Sequence, residues 1–249
     1  MNAVEDRLLF CNDAFVVINK VAGEICSSDE GEIDEQFYVP EIFRSEIEKK
    51  LSRKPDVIEC VNRIDRPVSG IVLLALTEES DRILKGIFNN KEKVDKRYWT
   101  IVEGISEKTD IPVTLKDYLY FNPSKKKTFI CGKEHRKSKY AELFYQVMGN
   151  GERYSYLEVQ LVTGRTHQIR AQLANQKMHI KGDVKYGARR ADTLPGIRLH
   201  AARLEFTYPG EGRYAFFAPI PETDALWNDA LHFISAETSA LLQNGKCHK

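Results

Sequence analysis

The chain has 249 residues, 42% of them apolar and 29% charged, which is enough to build a sizeable core in one or two domains. Its apolar runs end at about six residues, far short of a membrane span. The opening Met1-Asn2-Ala3-Val4-Glu5-Asp6 lacks the basic start and apolar stretch of a secretory signal, so a cytoplasmic protein is expected.

Ala14 to Ile18 reads as a short buried strand, broken by Ala22-Gly23. An acidic, irregular stretch from Glu24 to Glu35 follows. Then comes a helix from Glu41 to Leu51, with Ile42, Ile47 and Leu51 as its apolar positions. The unbroken run Ile71 to Leu76 is a strand by length, branching and the glycine before it. Thr77 caps a helix with Glu78, Glu79 and Asp81 in its first turn and Ile83, Leu84, Ile87 and Phe88 on one face. Tyr98 to Val102 and Tyr156 to Val162 are strands, the second with Leu157, Val159 and Leu161 inward. Thr166 to Ala174 is a helix with Ile169 and Leu173 inward. Strands at Arg203–Tyr208 and Tyr214–Phe217 precede a last helix, Glu222 to Ile234, anchored by Leu226, Trp227, Leu231 and Ile234. The segments 24–56 and 105–139 supply the surface loops. Few strand pairs enclose a helix, which predicts an α+β fold with a mixed, mostly antiparallel sheet flanked by helices and loops, not a doubly wound one.

Cys11, Cys26, Cys60, Cys131 and Cys247 are scattered, with no Cys-x-x-Cys pair, as expected of free thiols in a reducing compartment. The six histidines show no metal-ligand spacing, so no metal is expected, and His167 and His200 read as packed or hydrogen-bonded. The net charge of +1 conceals an asymmetry. Residues 1–60 hold 7 basic and 14 acidic side chains, whereas residues 61–140 hold 17 and 11. Positive charge continues through residue 210, a distribution that suits either a phosphate-rich partner or a plain solvated surface.

Three strings carry chemistry. In Val61-Asn62-Arg63-Ile64-Asp65-Arg66-Pro67-Val68-Ser69-Gly70, a carboxylate between two arginines sits on a turn leading into the buried strand. An ionised Asp65 there is a candidate nucleophile or base; the alternative is a strand-entry aspartate that pairs with Arg63 or Arg66. Lys96-Arg97-Tyr98-Trp99-Thr100 and Thr163-Gly164-Arg165-Thr166-His167-Gln168 follow. Arg165 alone could be a surface arginine at a helix start, and Tyr98 an ordinary strand aromatic.

In order and interval these strings resemble the catalytic motifs of the RluA-type pseudouridine synthases. Val16-Val17-Ile18-Asn19-Lys20-Val21-Ala22-Gly23, Ile180–Gly187 and Leu199–Phe206 extend the likeness from about Val4 to about Pro221. The resemblance implies a mixed-sheet fold and an isomerase that turns uridine into pseudouridine in ribosomal or transfer RNA. It breaks the N1–C1′ bond, rotates the base and joins C5 to C1′. Nothing is oxidised or imported, so no cofactor is expected. The resemblance makes Asp65 the catalytic carboxylate, attacking C1′ or removing the C2′ proton. It pairs Arg165 with that aspartate, and gives Tyr98 the roles of stacking on the base and shuttling the C5 proton. A paired uridine must leave its stack to react. Arg63 matches the arginine that fills the gap, and Arg66, Lys91, Lys93, Lys96, Arg97 and the Lys125–Lys139 cluster are expected on phosphates.

Some relatives carry an N-terminal S4 RNA-binding module. Here the catalytic start falls within the first twenty residues, so a single domain over 1–249, without that module and monomeric, is expected. Asn62 stands where the motif usually has His, and Pro67-Val68 where a polar–Thr pair is common; altered loop support with activity retained is expected. Two other classes fit less well. An idle RNA-binding protein on this fold would need neither Asp65 nor Arg165. A glycosidase would need a second carboxylate across the bond, and neither later motif centres one.

Overall fold

The computed structural model describes residues 3–27, 34–90 and 93–242. Lys91, Cys247, His248 and part of the acidic stretch 24–35 lie outside them. In chain order the elements are β1 Leu8–Cys11, β2 Phe15–Lys20, α1 Val39–Leu51, β3 Glu59–Cys60, β4 Ser69–Ala75, α2 Glu78–Asn89, β5 Val94–Glu103, β6 Val113–Asn122, β7 Lys127–Cys131, β8 Lys139–Asn150, β9 Tyr154–Leu161, α3 Gln168–Asn175, β10 Leu199–Tyr208, β11 Gly212–Phe217 and α4 Ala225–Leu242. The fold is α+β, and the registered strand pairs β1–β2, β2–β4, β5–β9 and β8–β9 are all antiparallel, as expected. Among the described residues no helix is long and apolar enough to cross a membrane.

The chain divides into two compact units. The first contains residues 1–95 and 201–222. Its strands run in the order β1-β2-β4-β10, with β3 on β4 and β11 on β10. Every residue of β2 is buried, as are the last six of β4. One face packs Phe15, Val17, Ile71 and Leu73 with Phe206, Tyr208, Tyr214 and Phe216. The rings of Phe15 and Tyr214 meet edge to face at 5.1 Å, a preferred aromatic geometry. The α2 helix seals this layer with Leu84 and Ile87, while Ile83 and Phe88 pack at its margin. Thr77 caps it as predicted, its Oγ1 accepting from Ser80 N at 3.1 Å, while Thr77 N donates to Ser80 Oγ at 3.1 Å.

On α1 Ile47 is buried as expected, but its companions are Val39, Pro40 and Phe43; Ile42 and Leu51, expected beside it, are half-buried. Residues four apart stack on one helical face, and Phe43, as the largest side chain, sets which face turns inward. Gly70 is where β4 cannot carry a side chain. Its φ is +117°, and a Cβ would lie closer than 3.0 Å to three backbone atoms of Ala201.

The second unit contains residues 96–200 and 223–244, with the strand order β5-β9-β8-β6-β7. Leu157, Val159 and Leu161 point inward as predicted. The segment 105–139, expected as loop, instead contributes β6 and β7, and β8 was likewise not foreseen. Leu115 and Leu119 are buried on β6, but the inward position between them is Asp117, which hides the strand's alternation. Asp117 is satisfied by Gln172 of α3, which donates to it at 2.7 Å. A buried ion network holds the segment before β10. Arg198 binds Asp192 and Asp224 at 2.8 and 2.6 Å, and Lys181 binds Asp192 at 3.0 Å. Burial opposes the charge on Asp192, yet Arg198, Leu194 N–H and Lys181 hold its carboxyl well below the usual carboxylate range.

Gly70→Ala should lower unfolding stability by on the order of 3 kcal/mol, from the left-handed strain and the clash with Ala201 together. A fall in the urea midpoint at unchanged m-value checks this.

Candidate active site

Asp65, Arg63 and Arg66 lie in the first unit, on the loop between β3 and β4; Lys96, Arg97, Tyr98 and Arg165 lie in the second. Each loop is built by side chains that substitute for backbone partners.

In the first unit the chain folds back at Asp65, whose carbonyl accepts from Val68 N at 2.9 Å. Lys20 ends strand β2 fully buried. Its ammonium donates to the carbonyls of Val21, Arg66 and Val68 at 3.0, 3.3 and 2.7 Å. An ammonium removed from water must be hydrogen-bonded or lose its charge, and three carbonyls match its three donors. The result is a loop pinned to the end of β2 at two carbonyls just after Asp65. Asn62 does similar work upstream. Its Nδ2 donates to Ile71 O at 3.1 Å and its Oδ1 accepts from Leu73 N at 2.7 Å, so the amide bonds to β4 as a strand neighbour would. This is the loop support that Asn supplies at the position where His is usual.

The two arginines flanking Asp65 are exposed. Arg63 Nη1 donates to Ser27 Oγ at 3.1 Å. Arg66 Nε donates to Gly23 O at 3.0 Å, Gly23 N donates back to Arg66 O at 2.7 Å, and the guanidinium lies 5.4 Å from the Phe37 ring centre. Asp65 itself is half-buried.

In the second unit Tyr98 stands on β5, 8% exposed, opposite Val159 of β9. Arg97 points its Nη1 at Glu158 Oε1, 2.7 Å away, and Trp99 Nε1 donates to the same carboxylate at 3.4 Å. Lys96 is half-buried, and burial pulls its amine below the ordinary lysine range. Its Nζ lies beside the Gly164 turn, 3.7 Å from where a Cβ would stand. Lys96 and the Arg165 turn are thus neighbours, which their separation of 69 residues does not reveal.

Arg165 was expected at the start of a helix; it lies on the turn between β9 and α3, and the helix begins at Gln168. His167, expected inside that helix, is its N-cap in the left-handed conformation (φ +53°), with its ring nitrogen 2.9 Å from Tyr186 Oη. Gln168 is the organiser: buried, it accepts from Thr163 Oγ1 at 2.7 Å and from Arg165 N at 3.0 Å, and donates to Glu142 O at 3.1 Å. Arg165 Nε is fixed on Tyr140 O at 2.9 Å, which orients the guanidinium.

Lys20, Gln168 and Ser27 were not foreseen as site residues. Lys20 carried a readable signal, a lysine closing an all-apolar strand. Gln168 and Ser27 carried none, since their partners come from other segments. Among the described residues no group of three or more potential metal ligands forms.

The first unit holds a carboxylate on a turn with a fixed backbone; the second holds Tyr98 on its strand and an arginine anchored on a main-chain carbonyl. Residues 14–175 match the family model described as RNA pseudouridylate synthase. The chain is 30% identical over 225 residues to tRNA pseudouridine synthase C of Haemophilus ducreyi, covering 83% of this chain and 87% of that protein. It is 27% identical to ribosomal large subunit pseudouridine synthase C of Vibrio parahaemolyticus, over 85% of this chain and 64% of that one. Its fold is similar to that of human RNA pseudouridylate synthase domain containing 4, with a TM-score of 0.72, 19% identity, and 93% and 94% of the two chains covered.

Replacing Lys20 with Met removes its bonds to the carbonyls of Val21, Arg66 and Val68, leaving Arg66 O only its bond from Gly23 N. Amide exchange at Gly23 and Val68 should quicken at least tenfold, and stability should fall by about 2 kcal/mol. Native-state hydrogen exchange and urea unfolding measure the two effects.

Proposed function

This chain belongs to the RNA pseudouridylate synthase family, in its RluA-type branch, and we propose that it isomerises a specific uridine of a transfer or ribosomal RNA stem-loop, with Asp65 as its catalytic carboxylate. The observation that carries this reading is the loop at Asp65. A buried ammonium and an amide clamp hold its backbone still, while Asp65 itself is only half-buried. A group that must meet C1′ or the C2′ proton of a nucleoside gains rate from such fixed placement. Pairing alone would not call for so many anchors on the main chain.

Tyr98 supplies the ring on which the extruded uracil stacks, and its hydroxyl serves the C5 proton. Arg165 supplies the guanidinium that the family pairs with its aspartate, oriented here by Tyr140 O. Arg63, exposed, exchanges its bond to Ser27 Oγ for stacking where the uridine was. Arg66 and Lys96 meet phosphates; Arg97, already paired to Glu158, adds weaker electrostatic attraction. The reaction needs no cofactor. The chain works as a monomer, in the cytoplasm, as one catalytic domain.

Tritium release from RNA labelled at C5 of uridine tests the reaction. Wild-type protein should release tritium from cellular RNA and Asp65→Asn none above background; equal release by both would remove Asp65 from the mechanism. Lys96→Met separates function from structure. Losing a desolvated cation should leave Tm unchanged or raise it slightly, while kcat/KM for RNA falls about tenfold. A parallel loss of Tm would make Lys96 a structural residue.

A further inference from the structure

The outer strands of the second unit have two unlike faces. Register places Tyr118 opposite Cys131 and Tyr120 opposite Phe129 on β7, and Tyr118 opposite Tyr140 on β8. Side chains alternate along a strand, so Tyr118, Tyr120, Phe129 and Tyr140 share one face. The other face carries Leu115, Leu119, Thr128 and Ala141, all buried; α3 meets it through the Gln172–Asp117 bond, and the turn before α3 through Thr166 O, which accepts from Thr128 Oγ1. That covered face is also the side of Tyr98, since Tyr98 pairs with Val159, and Val159 with Tyr145.

The aromatic face is half-exposed throughout. Its rings form cross-strand pairs spread over three strands, with Tyr118 and Tyr140 centred 5.8 Å apart. His135 lies on Tyr120 at 4.3 Å. The ammonium groups of Lys125 and Lys127 stand 5.7 and 5.8 Å from the Phe129 ring centre. Between residues 116 and 140 there are eight lysine and arginine side chains and two acidic ones.

We infer that this face of β7-β6-β8 is a second RNA contact, a stacking platform for two or three unpaired bases flanking the modified stem-loop. The inference rests on the reading of RNA as substrate. Bases present flat apolar faces only when unpaired, and open aromatic rings on a sheet accept them whatever their identity. The lysines at Phe129 match the phosphates between those bases, whereas an apolar protein partner would find those two cations over that ring; Glu142, which accepts from Tyr140 Oη at 2.9 Å, lies at the opposite, inner end of the platform. Because β7 is the outermost strand in the order, a nucleic-acid strand can reach this face around the sheet edge.

The test uses a fluorescein-labelled 12-nucleotide oligouridylate, a duplex RNA of equal length, and the full chain. Wild type should prefer the single strand. Tyr120→Leu/Phe129→Leu should weaken that binding at least tenfold, while the ring-preserving Tyr120→Phe/Phe129→Tyr binds as wild type does. With a stem-loop bearing a single-stranded flank, the leucine pair should raise KM for tritium release and leave kcat unchanged. Unchanged affinity in the leucine pair would overturn the inference. So would an equal loss in the ring-preserving pair, or equal wild-type affinity for duplex. A wild type that releases no tritium defeats the isomerase reading instead, and the oligouridylate result then judges the platform alone.

Discussion

A positive charge sealed from water at the end of an apolar strand has few ways to persist. Lys20 persists because three carbonyls converge on it, two of them from the loop that turns at Asp65. The dependence runs both ways. The carbonyl of Val68 would otherwise need water or an amide partner, and the ammonium would otherwise be buried without acceptors. Strand β2, the loop and the start of β4 therefore hold together through one side chain. Gly70 completes the constraint by letting β4 pass against Ala201 with no side chain between them.

The Arg165 turn is solved by a different group with the same logic. Gln168, like Asn62, uses a neutral amide that donates and accepts at once, so it can replace a missing stretch of strand ladder. Neutral amides suit this work beside reactive groups, because they fix the backbone without adding a charge that would shift a neighbour's protonation.

Legibility in the sequence tracked locality. β2, β4, β9 and α2 were readable because their apolar periodicity is complete within a few residues, and Thr77 signalled its own cap. β6 was not, because Asp117 occupies an inward position and the outward ones hold tyrosines and lysines. The start of α3 was misplaced by two residues, since the Thr163–Gln168 bond spends on a turn the residues that could have begun a helix. Part of the face of α1 was misread because Phe43, not Ile42, had a core to meet.

What the amino-acid order determined alone is the set of chemical groups, their motif order, and the elements whose pattern closes over a short span. Tertiary structure alone decided which groups each side chain meets: Lys20 with carbonyls of 66 and 68, Ser27 with Arg63, Lys96 with the Gly164 turn, Tyr118 with Tyr140. The reason is geometric. Periodicity is set by bonds along the backbone, whereas the partner of a long polar side chain is whichever donor or acceptor a distant segment brings within about 3 Å.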